Sequence, residues 1–119
     1  MDTNIQGCLA EYKFATMCME FNLRVSFPLL DSSPYDCIVD TKKGLKKVQI
    51  KSVAIDGEII KCDIRQNYKP YSKNDVDFFA IWIKSHDGFY IVENCGKKRY
   101  VCLSKKNKYS KYFNNFALL

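Results

Sequence analysis

The chain has 119 residues, 47% hydrophobic, 14% aromatic and 27% charged, with Lys and Arg outnumbering Asp and Glu by 19 to 13 for a net charge of +6. That length gives one domain over residues 1–119 with a modest core, and the even composition excludes a disordered or fibrous chain. No apolar run approaches the roughly 20 residues of a membrane span and Met-Asp-Thr-Asn-Ile lacks the form of a signal peptide, so the expectation is a soluble cytoplasmic protein, bacterial or phage-like, with no membrane partner, whose positive charge favours a polyanion.

Thr3-Asn4-Ile5-Gln6 matches a capping box, a hydroxyl at the N-cap with Gln three residues on. It opens a predicted helix from about Asn4 to Asn22 with Leu9, Ala10, Phe14, Met17, Cys18 and Phe21 as apolar positions. Gly7, Cys8, Ala15 and Cys18 make one face small, which suits close approach to a sheet, and Glu11 is the single charge in that stripe. Arg24 to Leu30 alternates as a strand that Pro28 confines to an edge or ends early. Cys37-Ile38-Val39 is a short strand, turned by Asp40-Thr41-Lys42-Lys43-Gly44. Lys47 to Ile55 is the longest strand, and Asp56-Gly57 reads as a hairpin turn into Glu58 to Ile64.

Arg65 to Asp75 is a polar connection in which Ser72 is placed to cap a short helical turn. Val76 to Lys84 is nearly all apolar and reads as a strand buried on both faces. Asp87-Gly88 turns into Phe89 to Glu93, and Arg99 to Leu103 adds a strand. Tyr109, Tyr112, Phe113 and Phe116, spaced i, i+3, i+4, i+7, predict an amphipathic terminal helix with Lys105, Lys106, Lys108 and Lys111 outside its stripe. The order points to an α/β (α+β) fold, a mixed central β-sheet flanked by helices. The six cysteines contain no Cys-x-x-Cys pair and the one histidine, His86, falls in a turn, so no structural zinc is expected. The thiols read as small buried hydrophobes, and His86 as a surface residue.

Within Val48-Gln49-Ile50-Lys51, the period of two puts Val48 and Ile50 in the core and Gln49 and Lys51 together on the other face. Asp36 lies near them if residues 37 to 39 pair with this strand, and Glu11 can join from the helix. That set suits phosphodiester hydrolysis. Mg²⁺ (or Mn²⁺) takes oxygen ligands, which Asp36, the Gln49 side-chain oxygen and the Ile50 main-chain carbonyl supply, with Glu11 on a bound water or a second ion. Lys51 would orient the attacking water and stabilise charge on the phosphate. Each residue also has a plainer use: Glu11 on a wet helix face, Asp36 in an Asx turn like its neighbour Asp40, Gln49 and Lys51 on the solvated side of an antiparallel sheet.

These residues resemble the PD-(D/E)XK nucleases, and most of all the bacterial group I intron homing endonucleases, a compact branch with Gln at the third motif position. The resemblance is carried by Gly7-Cys8-Leu9-Ala10-Glu11, Pro34-Tyr35-Asp36-Cys37-Ile38-Val39-Asp40 and Val48-Gln49-Ile50-Lys51-Ser52. It implies a restriction-endonuclease-like core, Mg²⁺-dependent cleavage of double-stranded DNA and a symmetric homodimer or homotetramer. Two departures stand out: Gln49 replaces the usual acid, leaving less negative charge for a metal, and Tyr35 separates Pro34 from Asp36. DNA contacts are expected from Lys42, Lys43, Lys46 and Lys47, and from Arg65, Gln66, Asn67, Tyr68, Lys69, Tyr71 and Lys73, since Arg, Lys, Asn and Gln read base edges while Lys also holds phosphates. The rival readings are a Holliday-junction resolvase on the same core and a non-catalytic DNA-binding module with a decayed site.

Overall fold

The computed structural model describes residues 2–119. Helix α1 (Thr3–Glu20) is followed by nine strands: β1 (Arg24–Ser26), β2 (Cys37–Thr41), β3 (Gly44–Val53), β4 (Ile60–Asp63), β5 (Arg65–Gln66), β6 (Lys69–Pro70), β7 (Phe78–Ile83), β8 (Gly88–Glu93) and β9 (Tyr100–Leu103). Five of them form one mixed sheet in the order β1-β2-β3-β7-β8, antiparallel except for the β3–β7 pair, which is parallel and registers Lys51 with Ile81. Strands β4 and β9 form a two-stranded sheet, and β5 and β6 a small hairpin. This is the mixed sheet expected, with a helix on one side.

Burial explains the order of strands. Phe78, Phe79, Ala80, Ile81 and Ile83 are all buried, so β7 takes a central place between β3 and β8. The sheet separates two apolar clusters. On one face α1 packs Ala10, Phe14 and Cys18 on Cys37, Val48, Ile50 and Phe89. On the other, Ile60, Cys62 and Leu103 of the β4–β9 sheet close over Phe79, Ile81 and Tyr90. The helix is pinned to β3 by the Gln6 amide, which donates to Ser52 Oγ at 3.1 Å.

Several elements differ from expectation. The N-cap of α1 is Asp2, whose carboxylate accepts from Asn4 N at 2.7 Å, so the cap lies one residue before the Thr3–Gln6 box. Strand β1 ends at Ser26, ahead of Pro28. Asp56-Gly57 does not join a hairpin: β4 pairs with β9, Ile60 opposite Leu103, because both edges of β3 are taken by β2 and β7. Ser72 does cap a turn, its Oγ accepting from Asn74 N at 3.1 Å.

The terminal helix does not form; residues Ser110–Tyr112 and Phe116–Leu118 make two 3-10 turns. Between them Asn114 adopts φ 50°, a left-handed conformation that Asn tolerates and that ends a helix. Its N–H donates to Phe89 O at 2.6 Å and its side-chain oxygen accepts from Phe89 N at 2.9 Å. The tail thus closes the free edge of β8, a use of aromatic and Asn residues that edge protection explains and helical spacing does not. The ring of Phe113 lies over Gly88, where an added Cβ would sit 2.4 Å from it.

His86 is buried, not at the surface. Nε2 lies 2.7 Å from the Gly57 carbonyl and Nδ1 2.8 Å from Tyr90 Oη. A carbonyl only accepts, so Nε2 carries the proton and Nδ1 accepts from the tyrosine. The six cysteines are free thiols, but only Cys18, Cys37 and Cys62 are buried; Cys8, Cys95 and Cys102 are exposed. Among the described residues no helix is long and apolar enough to cross a membrane.

Candidate active site

The last rung between β2 and β3 is Cys37 opposite Val48. Just before it, Asp36 N donates to Val48 O at 2.9 Å, and one Asp36 carboxylate oxygen accepts the Ile50 N–H at 2.7 Å. A side chain therefore takes over where the backbone ladder stops. The N–H and C=O of one strand residue leave by the same edge, so the Ile50 carbonyl opens beside the Asp36 carboxylate.

Charges gather around this point. Burial pushes the Asp36 carboxyl above its ordinary range, opposed by the Ile50 N–H and by the Lys51 ammonium. Glu11, reaching from α1, is raised by burial and then by the Asp36 charge. Cys37, between them and Cys18, is pushed up by burial, by Cys18 and by both carboxylates. Gln49 and Lys51 share the other face of β3, as the alternation of half-buried Gln49 and Lys51 with buried Val48 and Ile50 shows. The Lys51 Nζ lies 5.3 Å from the centre of the Tyr71 ring. Its charge also opposes the burial that nonetheless lifts the Cys62 thiol to about 11, and it lowers the Asp63 carboxyl, held at about 2 chiefly by hydrogen bonds from Arg65. The ammonium thus sits between Asp36 and the β4 strand.

The donors are two carboxylates, an amide oxygen and a main-chain carbonyl, all hard oxygen ligands of the kind Mg²⁺ takes. Among the described residues no group of three or more Asp, Glu, His and Cys side chains is poised around a metal. A cation here would lean on two carboxylates and neutral oxygens, as Gln49 in place of an acid requires. Burial raises both half-buried carboxylates and the Asp36 charge raises Glu11 further; a cation bound there would offset that cost, and the residues fit such an ion.

The burial of these two carboxylates carries a stability prediction. The folded-state pKa values of Asp36 and Glu11 lie above the unfolded ones, so the ionised forms destabilise the fold. The cost is complete above the folded pKa values and absent below the unfolded values of about 4. Asp36→Asn, which keeps an oxygen for the Ile50 N–H, is expected to raise the metal-free melting temperature at pH 8 relative to wild type. The gap should close as pH falls towards 4; equal melting temperatures at pH 8 would contradict the assignment.

The residues expected to meet DNA are dispersed. Gln66, Asn67, Tyr68 and Lys69 stand exposed on the β5–β6 hairpin, whose turn carries Asn67 and Tyr68 at φ 51° and 67°. Arg65 is clamped to Asp63 at 2.8 Å. Tyr71 is not a surface residue: it is 6% exposed, meets Phe79 edge-on at 5.5 Å and supports Lys51 from behind. Its position after Pro70 hid this, since only the pairing of distant elements brings it under β3. Lys42 and Lys43 sit in the β2–β3 turn at the other end of the ladder from Asp36, on the order of 15 Å away at 3.3 Å per residue. Lys43 Nζ donates there to Ala117 O at 3.1 Å. Lys46 faces Val39 in the ladder. Lys47 is tied down, its N–H donating to Asp77 at 2.8 Å and its ammonium to Asn74 O. Lys73 is exposed.

No curated protein matches the chain. Among solved structures it is similar to a bacterial homing endonuclease, I-Ssp6803I, with a TM-score of 0.78 and 20% identity over 99% of this chain and 93% of that one. At that identity the likeness is one of fold. A model of the PD-(D/E)XK endonuclease family matches residues 1–118. The whole of this architecture, with its acid at the end of β2 and its lysine on β3, accordingly falls within one family, and the chain belongs to the PD-(D/E)XK endonucleases.

Proposed function

We propose that the protein is a Mg²⁺-dependent, sequence-specific endonuclease that cuts both strands of DNA, of the intron-homing type, working in the cytoplasm as a single nuclease domain over residues 1–119. The observation that carries this reading is the Asp36 carboxylate, 2.7 Å from the Ile50 N–H and coupled in charge to Glu11 and to Lys51. The homing class is suggested by the fold shared with I-Ssp6803I, which is a bacterial homing endonuclease.

In this reading Asp36, the Gln49 side-chain oxygen and the Ile50 carbonyl would hold the cation, and Glu11 would take a bound water or a second ion. Mg²⁺, or Mn²⁺ in its place, supplies a water of lowered pKa and charge neutralisation at the scissile phosphate. Lys51 would orient the attacking water and stabilise the negative charge that grows on the phosphoryl oxygens. Gln66, Asn67, Tyr68 and Lys69, standing out on the hairpin, meet the duplex. The deciding experiment incubates supercoiled plasmid with the protein and Mg²⁺, alongside EDTA and Lys51→Ala controls. Cleavage that persists in EDTA defeats the reading, and preference for four-way junctions over linear duplex would make the protein a resolvase instead.

One subunit offers one site, so cutting both strands calls for a second copy related by a two-fold axis, as a homodimer or within a homotetramer. The surface that supports self-association joins α1 to the β1–β2 loop. Cys8, Tyr12 and Phe27 line a cavity with Glu11, and next to Phe27 the loop exposes Leu30 and, at 97%, Leu29. Three exposed apolar side chains within four residues of one loop suit a surface that is covered on self-association. Leu29→Glu is expected to shift sedimentation towards the monomer and to turn linearisation of supercoiled DNA into nicking. Unchanged sedimentation and unchanged linear product would remove the loop from the interface.

A further inference from the structure

Positive charge is not spread evenly along the chain. Residues 94–119 hold seven Lys and Arg and no Asp or Glu, against a net charge of +6 for the whole, so residues 1–93 are slightly acidic. The fold gathers part of this charge into one groove beside β9, lined by Lys97, Lys98, Arg99, Tyr100, Asn107 and Lys108 and by no carboxylate. Among the described residues none of these four cations forms an ion pair; the two ion pairs there are Arg65–Asp63 and Lys106–Glu58. Lys98 donates to Tyr109 Oη at 2.9 Å and Lys108 Nζ lies 5.4 Å from the centre of the same ring, which gathers two ammonium groups about one tyrosine. Tyr100 is exposed at the groove's rim with the Lys61 Nζ 4.1 Å from its ring.

The groove is also tied to the β5–β6 hairpin. The Arg99 carbonyl accepts the Ile64 N–H at 2.9 Å, one residue before the hairpin begins. At the other side the stem of Lys73 packs against Gly96, within 3.2 Å of where a Cβ would stand. A segment of three consecutive cations is therefore braced at the root of the exposed hairpin, with Gln66 and Asn67 at its far end.

We propose that Lys97, Lys98, Arg99 and Lys108 form a phosphate clamp that grips the DNA backbone and sets the register of the hairpin in the adjacent groove. Unpaired cations facing water with no acid among them are matched by a phosphodiester backbone, whose contacts position a protein without reading sequence. A narrow antiparallel ribbon such as β5–β6 is of a size that the major groove admits. The clamp rests on the endonuclease reading but is separable from it, since it concerns affinity and not the chemical step.

The test is the salt dependence of binding to a fluorescein-labelled duplex of mixed sequence, followed by anisotropy in EDTA. Each lost phosphate contact lowers the slope of log K against log salt by about 0.9, so Lys97→Gln/Lys98→Gln/Arg99→Gln should lower it by about 2.7. A charge-matched control, Lys13→Gln/Arg24→Gln/Lys84→Gln, should leave the slope near wild type. Circular dichroism checks the fold, and if the triple variant melts early, Arg99→Gln alone, with an expected drop of about 0.9, decides. A drop below about a third of these values, or an equal drop in the control, overturns the clamp. If wild type cuts plasmid while the triple variant keeps its slope, the clamp fails alone; if wild type neither binds nor cuts duplex, the endonuclease reading fails with it.

Discussion

Lys51→Ala is expected to lower the rate of DNA cleavage by about 10² to 10³-fold, the usual cost of removing one group that stabilises charge growing in a transition state. Duplex binding in EDTA should stay close to wild type, because the ammonium is half-buried between Asp36 and Tyr71 and is not on the exposed hairpin. Fold should also survive: the resting protein loses a cation–π contact with Tyr71, worth about 0.5–2 kcal/mol, and the attraction of the ammonium for Asp36. Single-turnover cleavage of plasmid, anisotropy and a thermal melt on the same sample separate these effects. A variant that cuts at the wild-type rate would show that the site lies elsewhere. One that loses binding along with cleavage would show that Lys51 holds DNA and not the reacting phosphate.

Phe14→Ala is expected to have the largest effect on stability, about 3–5 kcal/mol by the usual cost of emptying an aromatic site in a core. Phe14 is 0% exposed and its ring meets Phe89 at 5.5 Å and Phe116 at 5.6 Å, so one side chain joins α1, β8 and the tail. Against a total of about 5–15 kcal/mol for an ordinary domain, such a loss leaves the native state barely favoured. Glu11 sits one turn earlier on the same helix, so cleavage should fall with helix docking. Met19→Ala, at a side chain 62% exposed on the same helix, serves as the control and should change stability by no more than about 0.5 kcal/mol. Urea titration gives both numbers. A loss under about 1 kcal/mol for Phe14→Ala would mean that the helix is held by other contacts.

What local pattern specifies, the sequence displays. The alternation of Val48 to Lys51, the unbroken apolar run of β7 and the Asp after Pro34-Tyr35 all rest on period-two geometry or turn chemistry, and each is where it was expected. The proximity of Asp36 to Lys51 was legible because β2 and β3 are joined by a short turn, so few residues separate the two in space. The failures involve long-range pairing. Nothing near residue 57 reveals that Ile60 will face Leu103, and nothing near residue 71 reveals a ring lying under Lys51. The aromatic spacing of Tyr109 to Phe116 satisfies a helix as well as it satisfies a strap across β8, and Asn114 decides between them. His86 was misplaced for the same reason, since its partners are the Gly57 carbonyl on a distant loop and Tyr90 on the next strand.

The parallel rung that sets Lys51 beside Ile81 has a bearing on when the site takes shape during synthesis. Parallel neighbours close only after the intervening chain exists, and such long-range contacts form late. On the ribosome, β3 must wait for β4, β5 and β6 to emerge before its inner edge is filled. A nascent chain therefore carries Asp36 and Lys51 without the wall that fixes them, and the candidate site is complete only after translation of β7.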